Sequence, residues 1–125
     1  MKHILFALSM LVLTTQAAVV EVQDQADLNS KLKQYPNAVV KFYRPGCPHC
    51  VTIKGDYERI SNTFPNVGFL AVNTDTAGNK IIFPQWGVRG VPALFFVQDG
   101  VRTEHKRSGN FAASFEKAIK EKFNK

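Results

Sequence analysis

The run Ala-Val-Val-Lys-Phe-Tyr, Ala38 to Tyr43, most constrains what this chain can fold into. It is β-branched and aromatic with little apolar–polar alternation, the pattern of a strand buried on both faces. Such a strand needs helices on either side, and the flanking sequence supplies them. Upstream, Val19 to Val22 reads as a short strand. Asp24 is placed to cap a helix, with Asp27 in the capping-box position. Leu28, Leu32 and Tyr35 then recur at helical spacing until Pro36-Asn37 breaks the pattern. Downstream, Val51, Ile53, Tyr57, Ile60 and Phe64 fall mostly on one face of a long helix closed by Pro65-Asn66. Val67 to Asn73 predicts the next apolar strand, Thr76 to Phe83 a short helix stopped by Pro84, and Ala93 to Val97 a further strand. Asp99-Gly100 is a hairpin signal, returning Val101 to Lys106 as an antiparallel edge strand with Arg102, Glu104 and Lys106. Phe111, Phe115, Ile119 and Phe123 mark a closing amphipathic helix.

The resulting order is β-α-β-α-β-α-β-β-α, an α/β fold with a mixed central sheet flanked by helices. A chain of 125 residues, 45% hydrophobic, suits one such domain. The first residues stand apart from it. Lys2 and His3 precede a nearly unbroken apolar run, Ile4 to Leu13, and Thr14 to Ala18 follow with small residues where a signal peptidase reads. As a helix the run rises only about 15 Å, roughly half a bilayer core. Residues 1–17 are therefore expected to be a secretory signal and 18–125 the folded domain, exported to a bacterial periplasm or secreted. The net charge of +6 comes from scattered Lys and Arg interrupted by Asp and Glu. No basic stripe with interleaved aromatics points to nucleic acid. The domain is expected to be monomeric.

Both cysteines, Cys47 and Cys50, lie in "FYRPGCPHCV", just after the central strand and at the start of the long helix. Four roles are open to the pair. A structural bridge closing so short a ring adds only about 2 kcal/mol. Haem attachment requires a histidine directly after the second cysteine, where Val51 stands. A closed zinc site wants four ligands, and His49 lies between the thiols where it has difficulty reaching the same ion; a two-thiolate copper site is chemically open. Redox exchange fits best. Unpaired N–H groups and the positive end of the helix dipole face the Cys47 sulfur and favour its thiolate. Pro48 suits the first helical turn, the spacing brings Cys50 beside Cys47, and His49 adds a donor or a positive charge. Cys47 would attack, and Cys50 would resolve the mixed disulfide.

The segments "VVKFYRPGCPHC", "FLAVNTD" (Phe69 to Asp75) and "WGVRGVPALFFVQDG" (Trp86 to Gly100) resemble the thioredoxin superfamily over nearly all of the expected mature chain. The resemblance implies a thioredoxin fold with a cis Val91–Pro92 bond facing the cysteines. It also implies a substrate peptide pairing with the Val91 backbone, with Gly90 and Gly109 leaving room for it. The implied activity is thiol–disulfide exchange with protein substrates, fed by a membrane redox partner and needing no metal or organic cofactor. CPHC departs from the CGPC of thioredoxins and resembles the tetrapeptide of DsbA-type periplasmic oxidases, which implies an oxidant more than a reductant. A reductant fed by a membrane electron carrier, or a non-catalytic binding module, are the alternatives. Gly46 stands where an aromatic usually precedes the first cysteine. Lys41 stands where the family has a buried carboxylate, and Ala71 near the place of that carboxylate's usual lysine partner. Lys41 is expected to tune the pair by stabilising the Cys47 thiolate.

Overall fold

In the computed structural model, which describes residues 19–106 and 109–123, β2 (Asn37–Tyr43) is the middle strand of a five-stranded sheet. The expected signal segment lies outside the described residues. The elements run β1 (Val19–Glu21), α1 (Gln25–Gln34), β2, α2 (Pro48–Thr63), β3 (Gly68–Asn73), a 3-10 turn (Ala77–Asn79), α3 (Ile82–Gln85), β4 (Ala93–Gln98), β5 (Val101–His105) and α4 (Phe111–Phe123). The strand order is β1-β3-β2-β4-β5. β3 pairs parallel with β1 and β2, and β4 pairs antiparallel with β2 and β5. This is the expected mixed sheet in a thioredoxin fold.

The two-residue period of β2 divides the core. Ala38, Val40 and Phe42 face one layer, where Leu28 of α1, Ile82 of α3 and Trp86 pack. The Phe42 ring meets those of Phe83, Trp86 and Phe95 at 5.0, 5.3 and 5.6 Å between centroids. Val39 faces the other layer, with Ile53, Tyr57 and Ile60 of α2 and Phe115 and Ile119 of α4. Each fully buried side chain of this size contributes about 1.5–3 kcal/mol, so both faces of β2 hold the helices in place. Lys41 shares the second face and is buried with it, 4% exposed.

Local signals set the element ends. Asp24 caps α1 by accepting the Asp27 N–H at 2.8 Å, while the Asp27 carboxylate reaches the Gln23 N–H, one residue before the box position. Asp99 and Gly100 turn the β4–β5 hairpin at φ 51° and 86°, the left-handed pair that a tight hairpin requires. Gly68 opens β3 against the Tyr35 ring, where an added Cβ would sit 2.4 Å from ring carbon Cγ. One expectation fails: Thr76 to Phe83 is not a single helix stopped by Pro84. It splits into the 3-10 turn and α3, and Pro84 lies inside α3. The proline is in the first helical turn, where its missing N–H would have had no partner.

Asn79 ties this irregular segment to the sheet. Fully buried, it donates from Nδ2 to the carbonyls of Val22 (3.0 Å) and Asn73 (3.1 Å). Tyr57 does the same for α2, its hydroxyl donating to the Leu70 carbonyl at 2.7 Å with the Val39 carbonyl at 3.3 Å. Tyr57→Phe keeps the ring and removes the bond between helix and sheet. It should lower stability by about 1–2 kcal/mol in urea denaturation without changing the far-UV spectrum.

Candidate active site

Past the carboxyl end of the central strand β2, Arg44-Pro45-Gly46 turns the chain into α2. The Cys47 N–H donates to the Arg44 carbonyl at 3.1 Å and closes that turn. Cys47 is the N-cap of α2: its backbone is extended (φ −86°, ψ 119°), and its sulfur accepts the Cys50 N–H at 3.2 Å. Pro48 follows in the first turn of the helix, where a donor is not needed. A thiolate at this position faces the helix N-terminus, which favours negative charge. A Cβ at Gly46 would meet nothing within 4 Å, so the missing aromatic leaves open space before Cys47.

The two thiols differ electrostatically. Burial acts to raise the Cys47 pKa, but the Cys50 thiol, the Cys50 and His49 backbone N–H groups and the Arg44 charge outweigh it and hold it below the ordinary thiol value. Burial pushes the Cys50 thiol up, and the hydrogen bond and charge of Cys47 push the same way; Arg44 through its backbone and Lys41 through its charge oppose them. Each cysteine is 4% exposed, and both are free thiols. Cys47 is thus the group that ionises first. His49 acts on it through its backbone N–H, while its imidazole is on an exposed residue.

The Val91–Pro92 bond is cis, and the Cys47 thiol donates to the Val91 carbonyl at 3.6 Å. Val91 and Cys47 therefore lie side by side, although 44 residues separate them in the chain. A Cβ at Gly90 would meet nothing within 4 Å, so the approach beside Val91 is open. Gly109 has φ +58° and sits just before α4; among the described residues no hydrogen bond joins it to the cysteine turn, and its link to the site rests on the resemblance.

Lys41 takes a different place from the one expected. Its ammonium lies over the Tyr57 and Tyr43 rings, 4.4 and 5.1 Å from their centroids. Burial lowers its pKa first of all, Glu21 opposes, Lys54 adds to the fall, and Glu58 and Cys50 raise it. Its charge acts on Cys50, with which it lines a cavity that Cys47 does not line. Nor does the side chain escape to solvent. Lys41, Cys50 and Tyr43 line a cavity of about 360 Å³ together with Val19, Pro45 and Val51. The face of an aromatic ring offers a cation about 0.5–2 kcal/mol, whereas a buried ion loses several kcal/mol of hydration.

Arg44 was overlooked in the sequence, although it sits inside the cysteine motif; a cation three positions before a helix-capping thiol is the signal that could have found it. Glu21 and Glu58 are not legible as site residues in the sequence because they come from β1 and from the third turn of α2, and only the folded chain brings them near Lys41. No group of three or more His, Cys, Asp or Glu able to hold a metal occurs among the described residues, and none of their helices is long and apolar enough to cross a membrane.

Known proteins share this arrangement. The chain matches the Thioredoxin family over residues 18–121. Protein disulfide-isomerase 1 of Dictyostelium discoideum is 36% identical over 83 residues, covering 61% of this chain and 23% of that protein. Thioredoxin-1 of Schizosaccharomyces pombe is 29% identical over 102 residues, covering 82% of this chain and 96% of that one. The chain spans between 18% and 29% of the length of the first four disulfide isomerases it matches. Oxidised thioredoxin O2 of Arabidopsis thaliana superposes with a TM-score of 0.71 at 25% identity, covering 87% of this chain and 96% of that one. Thioredoxin of Trypanosoma brucei brucei, at 20% identity, shares the fold with a TM-score of 0.75 over 92% of this chain and all of its own (100%). Cysteine turn, facing cis-proline and strand order all agree with the family match: this chain belongs to the thioredoxin family.

Proposed function

We propose that this protein is an exported thiol–disulfide oxidoreductase that exchanges disulfides with protein substrates through Cys47 and Cys50, mainly as an oxidant. The observation that carries the proposal is the asymmetry of the pair. Cys47, the helix cap, has a lowered pKa, and Cys50, buried behind it, a raised one. In the oxidising direction a substrate thiolate attacks the Cys47 sulfur of the Cys47–Cys50 disulfide. A substrate–Cys47 bond forms, the internal S–S bond breaks, and Cys50 leaves as a thiolate that takes up a proton. A second substrate thiolate then attacks the substrate sulfur of the mixed disulfide, and Cys47 leaves as a thiolate. Two electrons pass from the substrate dithiol to the pair.

A thiol of low pKa is a good leaving group, and whatever stabilises its thiolate makes the disulfide more oxidising. Pro48 and His49 support this direction by their likeness to the DsbA-type tetrapeptide, and the His49 backbone N–H by lowering the Cys47 pKa. Lys41 supports it at the other sulfur, because its charge favours the Cys50 thiolate that departs in the first step. The substrate peptide pairs with Val91 beside Pro92, with Gly90 and Gly109 leaving it room. The reduced pair returns its electrons to a redox partner in the membrane. The Lys2–Ala17 segment supports export, and the mature chain, on N-terminal sequencing, should begin at Ala18.

Capture experiments test the exchange reaction. Cys50→Ser should accumulate mixed disulfides between Cys47 and protein substrates, and Cys47→Ser should accumulate none. A binding module without turnover would instead keep its activity in Cys47→Ser. Direction is read from the potential of the pair against glutathione. It should lie nearer the roughly −120 mV of a strong oxidant than the roughly −270 mV of a reductant.

The pH dependence has a definite sign. Only the thiolate is alkylated, so iodoacetamide modification of Cys47 should reach its midpoint below the value of about 8.5 for a free cysteine. Replacing Cys50 with alanine removes the thiol that donates to Cys47 and should move that midpoint up.

A further inference from the structure

The exchange reaction uses the two sulfurs and the Lys41 charge, and it gives no role to the space of the cavity that Lys41 and Cys50 line. That cavity, about 360 Å³, opens between β1, β2 and the first turns of α2. Its size falls within the range of about 300–1,000 Å³ typical of small-molecule sites. Lys41, 4% exposed, is the buried cation lining it, and among the described residues no carboxylate forms an ion pair with it. Both carboxylates lining the same cavity have hydrogen-bond partners other than Lys41 and reach it only through their charge. Glu21 accepts the Tyr43 hydroxyl at 2.8 Å, and Glu58 pairs with Lys54 at 2.7 Å. The rings of Tyr43 and Tyr57 take two sides of the ammonium, and each ring is pinned by a hydrogen bond from its own hydroxyl.

We propose that this cavity is a binding site for a small monocarboxylate with an apolar body, whose carboxylate pairs with the Lys41 ammonium. A buried charge without an ion-pair partner favours an opposite charge, and among the described residues Glu21 and Glu58 act on Lys41 only at longer range. The lining sets the rest of the ligand. Val19, Pro45 and Val51 give apolar walls, which suit a hydrocarbon body and disfavour a bare inorganic anion. The cavity carries the cations Lys41, Arg44 and Lys54 against Glu21 and Glu58; that balance leaves one positive charge, which a single negative charge neutralises. Occupancy would neutralise a cation that favours the Cys50 thiolate, so ligand and redox state would influence each other reciprocally.

The test titrates the full reduced chain with hydrocinnamate and, in parallel, with its uncharged amide, following amide chemical shifts and heat. Hydrocinnamate should bind saturably, one to one, with the largest shifts at Lys41, Tyr43, Cys50 and Val51. The amide should bind at least about tenfold more weakly, and Lys41→Met should weaken hydrocinnamate by a similar factor. Val51→Trp, placed on an exposed residue of α2 at the cavity wall, should block binding with Lys41 intact, so the proposal stays testable if Lys41→Met fails to fold. Equal binding of acid and amide, full binding in either variant, or no saturation at about 10 mM would overturn it. None of these readouts depends on disulfide exchange, so this proposal can fail while the oxidoreductase reading stands, and the reverse.

Discussion

The hydrogen bond from the Cys50 N–H to the Cys47 sulfur organises the site, because it is both a structural cap and an electrostatic device. Helix N-termini leave N–H groups without partners inside the helix. Most chains satisfy one with a Ser, Thr, Asp or Asn oxygen. Here a sulfur does so, and the same donor stabilises negative charge on that sulfur. The cap cannot be separated from the reactivity: a side chain that caps equally well through oxygen would hold the helix start and lose the exchange chemistry. Pro48 completes the arrangement by starting α2 without adding another unpaired donor.

The reach of this turn depends on β2. Its apolar residues are clamped from both layers, by Phe42 with the Phe83, Trp86 and Phe95 rings on one side and by Val39 with Tyr57 and its neighbours on the other. β2 also pairs with both β3 and β4. Its end is therefore fixed relative to the start of β4, where Phe42 pairs with Ala93, and the Val91 carbonyl stands beside Cys47. An exposed edge strand such as β5 would give the turn no comparable support.

The strand and helix order was legible because each element carries its own period. Ala38 to Tyr43 lacks alternation, Val51 to Phe64 repeats at helical spacing, and Asp99-Gly100 demands a left-handed turn. Pro84 was misread because a proline stops a helix only where the missing N–H matters, and α3 is so short that Pro84 still falls in its first turn. At the site, Cys47 and Cys50 were legible from local spacing alone. The environment of Lys41 was not. The strand period puts Lys41 on the face of Val39 and Tyr43, but which helix covers that face is a tertiary fact. It placed Lys41 beneath α2, in one cavity with Cys50.

That position changes how a cation can serve the pair. A carboxylate near the second thiol can take its proton; an ammonium holds a proton already and acts by charge. It eases the departure of Cys50 as a thiolate when an internal disulfide opens, and its help weakens if the lysine loses its own proton. Burial lowers the Lys41 pKa while Glu21, Glu58 and Cys50 itself oppose the loss. A Cys50 thiolate and a charged Lys41 therefore favour each other, and the cost of burying either charge falls when the other is present. When Cys50 is bound in a disulfide, that mutual support is gone, and the ammonium keeps the two tyrosine rings and the longer-range charges of Glu21 and Glu58. Burial and Cys47 raise the Cys50 pKa, so that thiolate takes up a proton once it has left. Lys41 therefore acts on the departure of Cys50, whereas the cap at Cys47 favours the reduced state from the other end of the pair.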